Sequence, residues 1–172
     1  MFKNREGKPN PGRGRPILPP LFLVAALLLL TGVYLWSGQT VLRIRDWESD
    51  EVLVELRVRR GDQLGFRWIH SLDQFPWQEY YTISEDLTLM LDAISFPSFG
   101  AGVPENRGQR VRIEDGLIYM YDIYDEFPQL LWLNSHEFTD LISLNGDEIT
   151  RGSELPERRL ILRIERMMAF HA

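Results

Sequence analysis

Two periodicities divide the chain into an apolar segment and a longer alternating region. Residues 17–36 form one run without a charged side chain. At 1.5 Å of rise per residue, a helix over this run would be about 30 Å long, which is the thickness of the hydrocarbon core of a bilayer. The run therefore predicts one transmembrane helix, with Tyr34 and Trp36 placed where interfacial aromatic belts occur.

From residue 38 onward, apolar and polar positions alternate with a period of two. The alternation is clearest over residues 52–59, 64–71 and 77–83, and it is typical of strands with one buried face. Further short strands are predicted at residues 41–47, 87–94, 110–114, 117–124, 130–133, 138–144 and 160–166. Because no amphipathic helix of three turns appears, the sequence predicts an all-β domain over residues 38–172, an antiparallel sandwich or barrel-like fold of short strands.

The distribution of charge predicts the orientation of the apolar segment in the membrane. Residues 1–36 hold five basic residues and one acidic residue, a net charge of +4, whereas the whole chain carries −6, so that −10 falls on the remainder. Residues 1–16 are rich in Pro, Gly, Arg and Lys and predict a disordered basic tail. The positive-inside rule places that tail in the cytoplasm and residues 38–172 on the outer side of the cytoplasmic membrane.

A cleaved signal peptide is the alternative to a membrane anchor, since Leu21–Leu30 has the length of a signal-peptide hydrophobic region. Cleavage requires small residues at positions −3 and −1, and the pairs available near residues 31–40 are bulky in at least one place. An uncleaved anchor is therefore favoured. The acidic domain argues against nucleic acid as a partner. The lack of cysteine excludes disulfides, a thiol nucleophile and a cysteine-ligated zinc.

The densest group of polar and aromatic residues lies between Trp68 and Glu79. If the strands around it pair as an antiparallel hairpin, hydrophobic consistency favours a register in which paired residue numbers sum to an odd value such as 147. His70 and Glu79 would then be cross-strand neighbours, with about 5–8 Å between their Cβ atoms. Such a pair could act as a general base, as two metal ligands or as a clamp for a polar ligand; it could also be a hydrogen bond that fixes the hairpin.

A glycine-containing loop, Ser98–Pro104, follows the predicted strand at residues 87–94. Gly100 and Gly102 permit close approach of the backbone, so the loop could direct amide N–H groups at an anion. It lacks the Gly-Lys-Ser/Thr ending of a phosphate-binding loop. A tight irregular turn is the simpler interpretation.

Other candidate chemistry is weak. His136 could supply a further ligand, although a histidine in a surface turn is the more economical interpretation. The histidines and acids lack the spacing of zinc sites, and no Gly-x-Ser-x-Gly elbow is present. We therefore predict no catalytic residue, no metal and no cofactor.

Two motifs in this region resemble an uncharacterised bacterial family known only as a domain of unknown function. Its members are typically encoded beside TRAP transporters of the TAXI class, which import small organic acids with an extracytoplasmic binding protein. The resemblance covers residues from about Val52 to Pro104, and Val103 replaces the usual leucine. The matching residues are His70, Ser71, Pro76, Glu79, Ser98, Phe99, Gly100, Ala101, Gly102 and Pro104.

The resemblance implies an extracytoplasmic protein and brings no established activity. Together with the residues, it predicts a single-pass, membrane-anchored accessory or ligand-sensing protein of a TRAP-type solute transporter. The partner would be a transporter subunit or its binding protein, and the ligand a small organic acid. The predicted ligand-binding residues are His70, Ser71, Glu79, Ser98, Gly100, Gly102 and Pro104. The alternative is a metal-assisted or acid–base hydrolase that uses His70 and Glu79.

Overall fold

The computed structural model describes residues 20–37, 39–100 and 107–167. The predicted tail over residues 1–16 and two predicted site residues, Gly102 and Pro104, lie outside these ranges. The chain divides into two compact units with a boundary between Leu35 and Trp36. The strands all belong to the second unit.

The first described element is the helix α1, Pro20–Ser37. The side chains of Leu27, Leu28, Leu29 and Leu30 are each about two-thirds exposed. Within residues 20–37, 39–100 and 107–167, no helix is long and apolar enough to cross a membrane. The predicted span over residues 17–36 is therefore not confirmed, and its first three residues lie outside the described ranges.

Eleven strands and a short 3-10 helix, Gly152–Glu154, follow within the described residues. The strands are β1 (Thr40–Asp46), β2 (Val52–Val58), β3 (Gln63–Ile69), β4 (Pro76–Ile83), β5 (Leu89–Phe96), β6 (Arg110–Glu114), β7 (Leu117–Phe127), β8 (Leu130–Leu133), β9 (Thr139–Leu144), β10 (Asp147–Arg151) and β11 (Arg159–Arg166). Each predicted strand has a counterpart, and β10 is the one described strand that the alternation did not predict.

The described strands form two separate sheets, and all their pairings are antiparallel. One sheet has the order β2-β1-β11-β8, and the other has the order β10-β9-β3-β4-β5-β7-β6. The prediction of an all-β domain is thus confirmed. Of the two forms predicted, two sheets correspond to the sandwich and not to a single closed barrel.

A single hydrophobic cluster contains buried residues of both sheets. Leu42 and Leu162 represent the four-stranded sheet, and Leu64 and Ile83 the seven-stranded sheet; all four are at most 1% exposed. Phe66 of β3 and Trp132 of β8 meet edge to face across the two sheets, with 5.3 Å between ring centroids. Burial of these alternating side chains from water is the main force that holds the sheets together.

Candidate functional site

The hairpin of β3 and β4 carries the predicted site, and its register decides which side chains meet. Paired residue numbers sum to 145: Leu64 pairs with Tyr81, Phe66 with Glu79, and Trp68 with Trp77. The sum is odd, as predicted, so the apolar set does share one side of the hairpin. The exact sum differs from the example value of 147, and this shift of pairing changes the neighbours of both His70 and Glu79.

The predicted His70–Glu79 pair is wrong. Beyond the end of the strands, the His70 backbone N–H donates to the Phe75 carbonyl at 2.8 Å, so Phe75 and not Glu79 is opposite His70. Glu79 lies four residues farther along β4, a distance of about 13 Å in an extended strand. Any role that required the imidazole and this carboxylate to act together, as in the predicted hydrolase, lacks the necessary contact.

Aromatic rings fill the space between these two residues. The Trp68 ring stacks on both His70 and Trp77, with centroid separations of 5.8 and 5.4 Å. Trp77, which is 6% exposed, continues the stack onto Phe96 of β5 at 5.0 Å. We call Trp68, His70, Phe75, Trp77 and Phe96 the aromatic stack. Offset stacking of this kind adds stability beyond the area that the rings bury.

His70 begins a turn whose polar groups bond to one another. The Asp73 backbone N–H donates to His70 Nδ1 at 3.4 Å, and the Asp73 carboxylate lies 3.4 Å from the same nitrogen. The Gln74 backbone N–H donates to the His70 carbonyl, and its side-chain amide donates to the Ser71 carbonyl at 2.7 Å. Gln74 adopts a left-handed φ of 54° to close this turn. The His70 imidazole is thus fixed by stacking on Trp68 and Phe75 and by the contact of its Nδ1 with Asp73.

The described part of the Ser98–Pro104 loop approaches this turn. Phe99 meets Phe96 edge to face at 5.7 Å. A Cβ atom on Gly100 would overlap the Asp73 carboxylate, whose Cγ would be only 2.8 Å away. The structure therefore brings together His70, Asp73 and Gly100, and it leaves Ser71 and Ser98 exposed. Ligand binding by His70, Ser71, Ser98 and Gly100 stays a prediction.

Glu79, at the other end of the aromatic stack, has a different environment. The hydroxyl of Tyr81, a residue that is 3% exposed, donates to Glu79 Oε2 at 2.7 Å. Burial raises the pKa of the Glu79 carboxyl, and the hydrogen bond from Tyr81 offsets only part of that rise. The Trp77 and Trp68 indoles also favour the charged form, although Trp77 Nε1 does not reach hydrogen-bonding geometry with any described atom.

Tyr81 is a neutral donor in this arrangement. Burial raises the pKa of its hydroxyl far above the usual range, and the neighbouring charge of Glu79 raises it further. The hydroxyl therefore keeps its proton at physiological pH and orients one oxygen of the carboxyl.

A cavity of about 390 Å³ opens beside Glu79, between the two sheets. Its size is within the range of small-molecule sites, and its lining has the usual character of such sites, mostly apolar with few polar groups. The lining residues are Phe66, Trp68, Glu79, Tyr81, Phe127, Gln129, Leu130, Leu131, Trp132, Leu133, Phe138 and Thr139. The arrangement can enclose a small organic body and present it with one carboxyl group.

The sequence interpretation included Glu79 but missed the rest of this cavity. Alternation placed Phe66, Trp68 and Tyr81 on the same side as Glu79, and that was the available signal. Trp132 comes from the other sheet, and no local pattern relates β8 to β3. Its indole position is maintained by Asn134, which accepts from Trp132 Nε1 at 3.3 Å and is 2% exposed.

His136 makes a structural contact and is not one of the residues that line the cavity. Its Nε2 is 2.9 Å from the Leu155 carbonyl, and its backbone N–H donates to Glu157 at 3.1 Å. Among the described residues, no group of three or more His, Cys, Asp or Glu side chains is placed to hold a metal ion.

Comparison with known proteins provides one match. Residues 64–150 match the model of a family described as Domain of unknown function (DUF1850). No curated protein and no solved structure matches the chain. The matched region covers half of the chain, begins in β3 and ends in β10, and includes the aromatic stack and the Glu79 cavity. The chain belongs to this DUF1850 family.

Proposed function

We propose that this member of the DUF1850 family is a non-catalytic, ligand-binding accessory protein of a solute transporter, and that the Glu79 cavity is its binding site. One observation carries the proposal. Glu79 is a carboxyl group of raised pKa, held by Tyr81, that opens into an aromatic cavity between the sheets. Perturbed titratable groups in a cleft are typical of functional sites.

The ligand that fits this proposal is a small organic acid. A carboxyl group with a raised pKa keeps its proton to higher pH, so it can donate a hydrogen bond to a bound carboxylate. The Tyr81 hydroxyl donates to Oε2, and in this proposal the protonated carboxyl donates to the ligand from Oε1. The rings of Phe66, Trp68 and Trp132 would enclose the apolar body of the acid. An organic cation is the competing ligand, because an ionised Glu79 among aromatic rings would attract it.

Titrations with phenylacetate and phenethylamine, which share an aromatic body and differ in charge, test the proposal. The full chain is used at several pH values, and the measurement is ligand-dependent melting temperature, since a ligand that binds only the folded state raises it. We expect phenylacetate to bind more tightly as the pH falls through the pKa of Glu79. Binding that strengthens as the pH rises, for phenethylamine alone, would identify a cation site and overturn the organic acid.

Glu79→Gln sharpens the same experiment because glutamine imitates the protonated acid. It retains a donor at every pH, so phenylacetate binding should persist and lose its pH dependence, whereas Glu79→Leu should weaken it. Glu126→Gln, an exposed position on β7, is the matched control. Equal phenylacetate binding by the unchanged protein and all three variants would show that the Glu79 cavity is not the binding site.

Membrane attachment and the transporter belong to the proposal as well. Attachment is supported by the uncharged run at residues 17–36, by the basic residues before it and by the exposed leucines of α1. Resistance to alkaline carbonate extraction, with residues 38–172 accessible to protease from outside, is the expected result. The TRAP-type partner is supported by the resemblance of the two motifs, and cells that carry Glu79→Leu should show reduced uptake of the transported acid.

A further inference from the structure

A second cavity lies beside the connection between β2 and β3. It has a volume of about 920 Å³ and is lined by Gln39, Thr40, Arg57, Val58, Arg59, Arg60, Asp62, Leu144, Asn145 and Arg166. We call it the arginine cleft. It shares no lining residue with the Glu79 cavity.

The charge of the arginine cleft is the reverse of the charge of its surroundings. Residues 37–172 carry a net charge of −10, with 14 arginines and 24 acidic residues. Four of those arginines line this one cleft, and Asp62 is its single acidic residue. A local concentration of positive charge on an acidic domain produces a potential that attracts anions.

Most arginines of the described β unit have an acidic partner, but three of the four in the cleft have none among the described residues. Nine of the 14 arginines make ion pairs among the described residues. Arg60 is one of the nine, through Glu85. Arg57, Arg59 and Arg166 make no ion pair with any residue in the described ranges, and all three are exposed.

The acid in the cleft does not neutralise these arginines. The Asp62 carboxylate accepts from the Arg59 backbone N–H at 2.7 Å and from the Asn145 side-chain amide at 3.1 Å. It therefore holds the turn after β2 and not a guanidinium group. Guanidinium groups without a carboxylate partner are suited to phosphate, which they bind through paired hydrogen bonds.

We infer that the arginine cleft binds the phosphate of a glycerophosphate group through Arg57, Arg59 and Arg166. Its source is the headgroup of an anionic phospholipid. Gln39 is the second residue after the end of α1 at Ser37, so a chain attached to a membrane through its N-terminal segment carries this cleft close in sequence to the attachment point. The choice of lipid as the source depends on the membrane attachment proposed above, whereas the phosphate chemistry does not.

The test uses the full chain in a nonionic detergent and three probes. The probes are mixed micelles with phosphatidylglycerol, micelles with phosphatidylcholine, and soluble glycerol 3-phosphate. The variant combines Arg57→Gln, Arg59→Gln and Arg166→Gln. Its control removes equal charge elsewhere, with Arg112→Gln, Arg151→Gln and Arg159→Gln. Arg159 and Arg166 are both exposed and begin and end the same strand, about 23 Å apart.

We expect affinity for phosphatidylglycerol micelles to fall by about fivefold for each cleft arginine removed, and to fall far less in the control. The loss should shrink at high salt, because ions screen exposed charges. Glycerol 3-phosphate binding that depends on the same arginines, without binding to the micelles, would support the phosphate site and reject the lipid as its source.

Equal affinities in variant and control, for every probe, would overturn the inference, since net charge alone would then explain any binding. If the triple variant fails to fold, as judged from its melting curve, the single changes Arg166→Gln and Arg159→Gln make the same comparison on one strand. Carbonate extraction of the unchanged chain tests membrane attachment separately, so failure of that proposal is distinguishable from failure of the cleft.

Discussion

His70 and Glu79 lie at the two ends of one aromatic stack, yet only one of them opens into a cavity. His70 is covered by the rings of Phe75, Trp68 and Trp77, and its Nδ1 is taken up by Asp73. Glu79 is held by Tyr81 through one oxygen and borders a cavity of about 390 Å³. The comparison teaches that one motif residue of a hairpin can be fixed within the local fold while another, farther along the same hairpin, lines a cavity.

The largest effect on stability is expected from a change at Trp77, which lies in the aromatic stack between His70 and Glu79. It is 6% exposed and stacks on Trp68, His70 and Phe96. Trp77→Ala should lower the free energy of unfolding by about 3–5 kcal/mol, because it removes buried area and leaves a hole in the stack. Urea denaturation measures this, with Trp47→Ala as the control, since Trp47 is 43% exposed. Equal losses of stability in Trp77→Ala and Trp47→Ala would mean that the aromatic stack stabilises the fold no more than an exposed ring does.

His70→Ala separates the two ends directly. Loss of the stacking contacts should cost about 1–3 kcal/mol of folding stability, while the affinity for phenylacetate should stay within about twofold. The measurement combines denaturation with ligand titration. The control is His136→Ala, which removes a single contact to the Leu155 carbonyl and should cost about 1 kcal/mol. A stable His70 variant that no longer binds would assign recognition to the His70 end instead.

Glu79 should affect the pH dependence of stability. Because its pKa is raised in the folded protein, its contribution is fully present below its ordinary value of 4.5 and is lost as the pH rises through the folded pKa. Relative to Glu79→Gln, the unchanged protein should therefore lose melting temperature with rising pH. Each tenfold change in the acid dissociation constant is worth about 1.4 kcal/mol.

Comparing the unchanged protein with Glu79→Gln cancels the contribution of Asp46, which is the same in both. That contribution to stability changes with pH in the opposite direction to that of Glu79. Hydrogen bonds from the Ser49 and Glu48 backbone lower the Asp46 pKa, so stability from Asp46 is lost as the pH falls below about 3.8. A difference between the two proteins that does not change with pH would show that the Glu79 carboxyl titrates normally.

The smallest effect is expected at Gly100. Gly100→Ala would press a Cβ atom against the Asp73 carboxylate, the flexible end of which can move away. The expected loss is about 1 kcal/mol or less, measured by thermal unfolding, and phenylacetate binding should be unchanged. Ser98→Ala, at an exposed position of the same loop, is the control. A loss of several kcal/mol would show that the contact between loop and turn is more rigid than the geometry indicates.

The period-two alternation predicted the strands and the side of the hairpin on which His70, Glu79 and Tyr81 lie. This was possible because side-chain direction in a strand depends on residue parity alone. Parity alone permits many registers in which paired residue numbers have an odd sum. The observed sum is 145 and not 147, and this difference separates His70 from Glu79. Turn geometry at His70–Phe75 makes that choice, through hydrogen bonds that composition does not reveal.

By itself, the sequence determined the all-β domain, the acidic charge of that domain and the uncharged N-terminal run, because each depends on local pattern or composition. Only the tertiary structure brought Trp132 of β8 against Phe66 of β3 and so formed the Glu79 cavity. It also gathered Arg57 and Arg166, more than 100 residues apart in the chain, into one cleft. Both sites join strands that are distant in sequence, and packing of one sheet on another, not periodicity, decides which strands meet.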